Sequence, residues 1–312
     1  MLVLDERQTH NALPMTALIE ALRAMFVSGC EMPVRHHHTL GVPGEPDATL
    51  LLMPAWQTGQ FIGVKIATVF PGNSARGKAA VNAAYVLISA ASGEVLAMVD
   101  GGELTARRTA AASALAADYL ARKDAGHLLV VGTGRLSLNL IEAHAAVRPI
   151  RWVTIWGRSP EKAAAVAEKA AAAGFETEAT DDLASAVGHA DIVSCATLSN
   201  EALVHGAWLK PGAHLDLVGA FTPRMRESDD EAMRRASVFV DTRAGATREG
   251  GDIVLAMQSG ALAQSDIRAE LAELTRGEHK GRTSDDEITA FKSVGAALED
   301  LAGAVLAYET AT

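Results

Sequence analysis

Cysteine is nearly missing from this chain: Cys30 and Cys195 are the only two among 312 residues. Two thiols build no disulfide framework, which excludes a small disulfide-stapled scaffold and makes a reducing, cytoplasmic setting the simpler expectation. Long apolar runs are missing too. No stretch approaches the roughly 18 uninterrupted apolar residues of a membrane helix, and the opening segment carries Asp5, Glu6 and Arg7 with no apolar signal core. An excess of positive charge is also lacking. Lys and Arg total 28 against 38 Asp and Glu, a net charge of −10, which argues against broad binding to a nucleic-acid backbone but permits a local basic pocket for a small anion. What the chain does have is ordinary globular material: 49% hydrophobic and 21% charged residues, enough to exclude a disordered chain. The length suggests about two domains.

The clearest local pattern lies in the middle. His127–Val131 is a short apolar run that reads as a buried parallel strand, Gly132-Thr133-Gly134 follows at once, and Leu136–Val147 reads as a helix. Arg151–Trp156 is a second strand at βαβ spacing. Ser159 is placed to cap a helix over 160–173 with Pro160 in its first turn. Weaker strands and helices continue the alternation: 175–179, a helix over 181–188, then strands at 191–196, 214–218 and 237–241. Strands alternating with helices predict a parallel sheet. The N-terminal part differs, with strands at 62–70 and 84–89 and a long Ala-rich helix over 105–122. The last segment, 287–312, reads as an amphipathic helix. The expected fold class is α/β, a parallel sheet domain over 120–285 beside a separate α+β domain over 1–119, onto which the segment 286–312 is expected to return.

Gly132-Thr133-Gly134-Arg135-Leu136-Ser137 is a G-x-G-x-x-S variant of the dinucleotide fingerprint. The first glycine permits the tight turn, the second lets the backbone approach a pyrophosphate at the helix N-terminus, and Ser137 is small enough for close helix packing. A glycine pair alone is weak evidence; its place between strand and helix inside a βαβ unit strengthens it. The competing reading is a tight turn that holds no ligand. At the end of the second strand, where an acid would bind a ribose hydroxyl, the chain has Arg158 and Ser159. A guanidinium there suits a 2′-phosphate, so NADPH is expected over NADH, with NADH still admitted; Arg158 as a plain loop cation is the alternative.

The segments Gly63–Thr68, Leu104–Leu115, Val131–Gly134 and Phe291–Gly295 together resemble the ornithine cyclodeaminase/mu-crystallin family across nearly the whole chain. The resemblance implies a homodimer in which a Rossmann-type domain over 120–285 is inserted into a substrate-binding and dimerisation domain made of 1–119 and completed by 286–312, and implies that Lys65 is the active-site lysine and that Arg35, Lys65 and Arg108 hold a substrate carboxylate. Thr109, Gly132, Thr133, Gly134, Arg135, Leu136, Arg158, Ser159, Thr197, Gly219, Phe221 and Ser293 are the candidate cofactor contacts. A charge in an apolar strand is costly without purpose, which favours a role for Lys65; Arg35 could equally be a surface residue, and Arg107 is read as the solvated neighbour of Arg108. Members that deaminate ornithine carry an acid shortly after the glycine that follows the strand at 214–218. Here that register holds Phe221, which cannot move protons. The stretch Gly219–Glu231 looks more like the ketimine reductases.

The resulting expectation is NAD(P)H-dependent reduction of a small cyclic imino acid, Δ1-pyrroline-2-carboxylate to L-proline, with Δ1-piperideine-2-carboxylate to L-pipecolate as the six-membered counterpart. Three alternatives stay open: an NAD-dependent ornithine cyclodeaminase, an alanine dehydrogenase-like activity, and a non-catalytic NADPH-dependent binding protein. His36-His37-His38 invites a metal, but in an extended strand only His36 and His38 share a face, and no metal is expected. Asp229–Glu231 reads as a solvated helix start, Cys195 as a core thiol, and Gly250–Asp252 as a cleft lining or a simple connection. No membrane and no nucleic-acid partner is expected.

Overall fold

The computed structural model describes residues 1–312, the side chain of Ser74 excepted. The chain divides into two compact units, 1–108 with 297–312, and 109–296.

The first unit begins with β1 (Leu2–Leu4), α1 (Glu6–Ala12) and α2 (Met15–Ser28), continues through β2 (His36–Leu40), β3 (Ala48–Gln57), β4 (Phe61–Val69), β5 (Val81–Ser89) and β6 (Val95–Asp100), and enters α3 (Gly101–Leu120). Asp5 caps α1 and accepts from the Gln8 amide, while Gln8 reaches back to the Asp5 amide. In α2 the buried residues Met15, Leu18, Ile19, Leu22, Met25 and Phe26 recur at helical spacing and form one apolar stripe. The six-stranded sheet runs β1-β6-β5-β4-β3-β2, antiparallel except for the β1–β6 pair. Alternation along β4 sends Gly63, Lys65 and Ala67 to the buried side. Ile66 points the other way and is exposed.

The second unit contains β7 (His127–Val131), α4 (Leu136–Val147), β8 (Trp152–Trp156), α5 (Pro160–Ala172), β9 (Glu176–Thr180), α6 (Leu183–His189), β10 (Ile192–Cys195), β11 (His214–Leu217), α7 (Asp230–Arg235), β12 (Ser237–Val240), α8 (Arg243–Glu249), α9 (Gly251–Gln258), β13 (Ile267–Glu270), α10 (Leu271–Thr275) and β14 (Thr289–Lys292). Its eight strands are all parallel in the order β13-β12-β14-β11-β10-β7-β8-β9. The centre of that order, β9-β8-β7-β10-β11, is the doubly wound arrangement whose winding reverses between β7 and β10. A crevice for ligands opens at the carboxyl ends of such a strand pair. The strands are continuous apolar runs because helices cover both faces: Leu128–Val131 and Ile192–Cys195 are fully buried. Inside the unit, buried Asp216 on β11 accepts from Ser194 Oγ on β10 at 2.6 Å and from Ser113 Oγ on α3 at 2.9 Å.

The chain closes with α11 (Ala297–Ala311), which belongs to the first unit and packs on α2 and on β3 to β6. Gly303 permits the close approach, since a Cβ there would stand 2.7 Å from Leu104 Cδ1.

The sequence places the unit boundaries near 119/120 and 285/286, whereas the division by packing falls at 108/109 and 296/297. One cause is α3, a single helix that runs through the first boundary. The other is β14. Residues 289–292 read as part of a C-terminal helix but form a strand between β11 and β12. Among the described residues no helix is long and apolar enough to cross a membrane.

Candidate functional site

In the first unit Lys65 lies on the buried side of β4, 4% exposed, with Nζ 2.7 Å from Asp300 Oδ2. Arg108 comes from α3 and is equally buried. Its Nε donates to Asp300 Oδ1 at 2.8 Å and its Nη1 to Glu299 Oε2 at 2.5 Å. Burial pulls the Lys65 pKa down to about 8; the Asp300 carboxylate opposes that fall, and Arg108 and Arg35 add to it. Burial also disfavours the Arg108 charge, but Asp300 and Glu299 more than offset it and push its pKa up. Asp300 is held below the usual carboxylate range because Arg108 and Lys65 outweigh the effect of its burial. Arg35, half-buried just before β2, is near enough for its charge to act on Lys65. The structure therefore gathers Arg35, Lys65 and Arg108, and adds two carboxylates that the sequence analysis missed. Three cations and two anions leave one net positive charge, enough to balance one incoming carboxylate.

Tyr85 on β5 borders the cluster. Burial first, then Asp300 and Cys30, raise its phenol well above the usual value. Its hydroxyl is buried without a hydrogen-bond partner and occupies the space above Gly63, where a Cβ would lie 1.9 Å from Tyr85 Oη.

Arg107 corrects an expectation. It is not a solvated neighbour of Arg108: it is 2% exposed and its Nε donates to Leu13 O at 2.8 Å. At that turn α3 is covered by the connection between α1 and α2, so the position is interior. His36–His38 opens the exposed strand β2, with the rings of His36 and His38 6.4 Å apart on one face. No group of three metal-ligating side chains is found among the described residues.

The second unit holds the dinucleotide candidates. Gly132 follows β7 with φ of 131° and a Cβ there would meet Ala196 O at 2.7 Å, so only glycine fits where this turn touches the β10 loop. Around Gly134 a Cβ would find nothing within 4 Å, which leaves an open cradle. Thr133 and Leu136 are half-buried and Arg135 is exposed. The first turn of α4 has no side-chain cap, so its amides suit an anion. Ser137 does more than stay small, for its Oγ donates to Gly132 O and Gly134 O, each at 3.0 Å. These features fit a pyrophosphate.

Arg158 is exposed after β8. Ser159 is engaged as the α5 cap, accepting from the Lys162 amide at 3.3 Å and donating to Glu161 Oε2 at 2.8 Å. The loops after β10 and β11 carry Thr197, Gly219 and Phe221; Phe221 is 40% exposed. Ser293 is buried beyond β14, its amide donating to Leu217 O at 3.2 Å. Thr109 is half-buried on α3. A buried group went unnoticed in the sequence: Glu227, Asp252 and Lys292, with Lys292 Nζ 3.3 Å from Asp252 Oδ2. Cys195 is buried in β10. Gly250–Asp252 turns into α9, with Asp252 in its first turn.

The chain is 41% identical to a Δ1-pyrroline-2-carboxylate reductase of Paracoccus denitrificans over 83% of this chain and 82% of that one. Its fold is similar to the Δ1-pyrroline-2-carboxylate reductase of Thermococcus litoralis solved with NADH and L-proline, at a TM-score of 0.93 and 33% identity, covering 100% of this chain and 97% of that one. It also resembles an archaeal alanine dehydrogenase dimer with bound NAD, at a TM-score of 0.91 and 29% identity, covering 100% and 96%. The family model for ornithine cyclodeaminase/mu-crystallin proteins matches residues 2–312, and the chain belongs to that family.

Proposed function

We propose that the protein reduces Δ1-pyrroline-2-carboxylate to L-proline, and its six-membered analogue to L-pipecolate, with a reduced nicotinamide dinucleotide. The observation that carries this reading is the Arg108–Asp300–Lys65 cluster. It combines a guanidinium suited to a carboxylate with a buried ammonium whose pKa of about 8 lets it carry a proton at neutral pH and release it. In this reading Arg35 and Arg108 bind the substrate carboxylate, Arg108 giving up part of its contact with Glu299 or Asp300 to do so. Lys65 holds a proton at Nζ and passes it to the imine nitrogen. Asp300 orients both cations. The Gly132–Leu136 turn would hold the pyrophosphate of a reduced nicotinamide dinucleotide, which when bound would supply a hydride to the C=N carbon. Thr109, Thr197, Gly219, Phe221 and Ser293 complete its surroundings, and Phe221 offers a flat apolar surface where a cyclodeaminase-like chain has an acid.

NADPH is the favoured cofactor because of Arg158, although Ser159 is already committed to its helix cap and Glu161 sets a carboxylate nearby. Dimerisation is supported by the apolar side of the six-stranded sheet, where Leu52, Val64, Ile66, Val86 and Met98 are half-buried or exposed in a single chain. Two free thiols suit a cytoplasmic location.

The test is an absorbance assay of nicotinamide oxidation with the pyrroline- and piperideine-carboxylates and each cofactor. The reading expects turnover with the imines and none with ornithine alone. Ammonia release from ornithine without added reductant would overturn it, and pyruvate plus ammonia as the best substrate pair would favour the alanine dehydrogenase alternative.

A further inference from the structure

Glu227 lies on the loop after β11, with no role in the proposed chemistry, yet it is fully buried. Its carboxylate spans two loops. Oε1 accepts from the Thr197 amide at 2.6 Å and from Thr197 Oγ1 at 2.9 Å, in the loop after β10. Oε2 accepts from the Gly219 amide at 2.7 Å and the Ala220 amide at 3.3 Å, in the loop after β11. These loops leave the carboxyl ends of adjacent parallel strands, where a doubly wound sheet receives its ligand. They pass so closely that a Cβ on Gly219 would stand 2.0 Å from Thr197 O.

Glu227 is anchored in turn. Asp252 Oδ1 accepts from the amides of Glu227 and Ser228 at 2.8 and 2.9 Å and from Ser228 Oγ at 3.2 Å, while its Oδ2 faces Lys292 Nζ on β14. A buried carboxylate is an expensive way to join loops. Backbone donors from two loops converging on one side chain give it a purpose.

We infer that Glu227, anchored by Asp252 and Lys292, is a positioning residue for the dinucleotide: its carboxylate clasps the Thr197 and Gly219 loops in the spacing the cofactor needs. The inference rests on the dinucleotide reading above and deepens it. The three backbone amides require an acceptor. When Glu227 takes up a proton, one oxygen becomes a donor facing other donors, and the clasp loosens. Burial raises the Glu227 pKa to about 7, with Lys292 opposing and Asp252 reinforcing the rise. The other titratable neighbour, the Cys195 thiol on β10, is driven well above its usual pKa by burial and stays neutral. The sign follows. The clasp is intact above pH 7 and weakens below it, so cofactor affinity falls with pH on the acid side.

The experiment measures NADH binding by fluorescence titration from pH 5.5 to 9, with thermal unfolding as a check on the fold. NADH is the probe because it lacks the 2′-phosphate that titrates in this range. The wild-type protein is expected to bind NADH about tenfold more weakly at pH 6 than at pH 8, as one linked proton requires. Glu227→Gln is expected to weaken binding at pH 8 by at least about tenfold and to flatten the pH dependence. Asp252→Asn, which removes a negative charge beside Glu227 but keeps an acceptor, is expected to move the midpoint to lower pH. A folded Glu227→Gln protein with wild-type affinity and pH profile overturns the inference. If Glu227→Gln does not fold, an unmoved midpoint in Asp252→Asn overturns it instead. If the wild-type protein binds no NADH at any pH, the dinucleotide reading falls first and the inference with it.

Discussion

Asp300→Asn tests the proton-carrying role of Lys65 through its electrostatics. Burial drives the Lys65 pKa down and Asp300 is the main group holding it up at about 8. Opposite charges 2.7 Å apart interact by about 6 kcal/mol at an effective dielectric constant near 20. One pH unit corresponds to about 1.4 kcal/mol, so loss of the Asp300 charge corresponds to about 4 pH units as an upper bound. Relaxation and water entry reduce this; a fall of at least about one unit is expected. Arg108 acts in the same direction, since its repulsion of Lys65 is no longer screened by Asp300. If protonated Lys65 donates to the imine, kcat/KM of the wild-type enzyme declines as pH rises through about 8. In Asp300→Asn that decline begins near pH 7 or below. The assay is kcat/KM for imine reduction from pH 6 to 10 at saturating NADH, with both proteins on the same substrate so that the imine's own titration cancels. Removing one member of a buried pair costs about 3 to 5 kcal/mol, so the fold is verified by circular dichroism. An alkaline limb that stays in place or moves upward in a folded variant refutes the reasoning.

Other outcomes follow from the same geometry. Arg108→Ala leaves Asp300 and Glu299 without their buried guanidinium; it is expected to lower unfolding stability by about 3 to 5 kcal/mol in a urea titration and to raise KM for the imine far more than KM for NADH. Gly134→Ala meets no atom within 4 Å and is expected to unfold at the wild-type temperature while losing most NADH affinity, because the methyl fills the pyrophosphate cradle; retained affinity would displace that cradle. Arg158→Ala is expected to weaken NADPH more than NADH, and Glu161→Gln to improve NADPH alone, both read as KM ratios; equal effects on the two cofactors would remove Arg158 from the 2′-phosphate site.

Much of the second unit was legible because buried parallel strands are written as continuous apolar runs. Leu128–Val131 and Ile192–Cys195 have no polar face to confuse with a helix apart from Ser194, which is satisfied by Asp216. β14 was not legible. Four residues ending in Lys292, beside an amphipathic helical segment, give no strand signal; the buried lysine is tolerated because Asp252 meets it from α9 and Glu227 lies near. Lys65 stood out because an ammonium in an apolar strand needs a reason. Asp300 and Glu299 did not, since adjacent acids early in a helix normally mean solvent and a favourable dipole, and only the packing of α11 on the sheet turns them inward. Arg107 fails for the complementary reason: helical spacing assigns one of two adjacent arginines to water, but α3 has no wet side at that turn. Glu227 is invisible in the sequence because its partners are mostly backbone amides, which leave no trace in residue type.

The most direct measurement of the central claim follows a labelled hydrogen. With Δ1-pyrroline-2-carboxylate and reduced nicotinamide dinucleotide carrying deuterium at C4, the account predicts L-proline with deuterium at C2, and loss of that product in Lys65→Met. Proline formed from ornithine with no label at C2, or no imine turnover while the folded protein binds the dinucleotide, would contradict it.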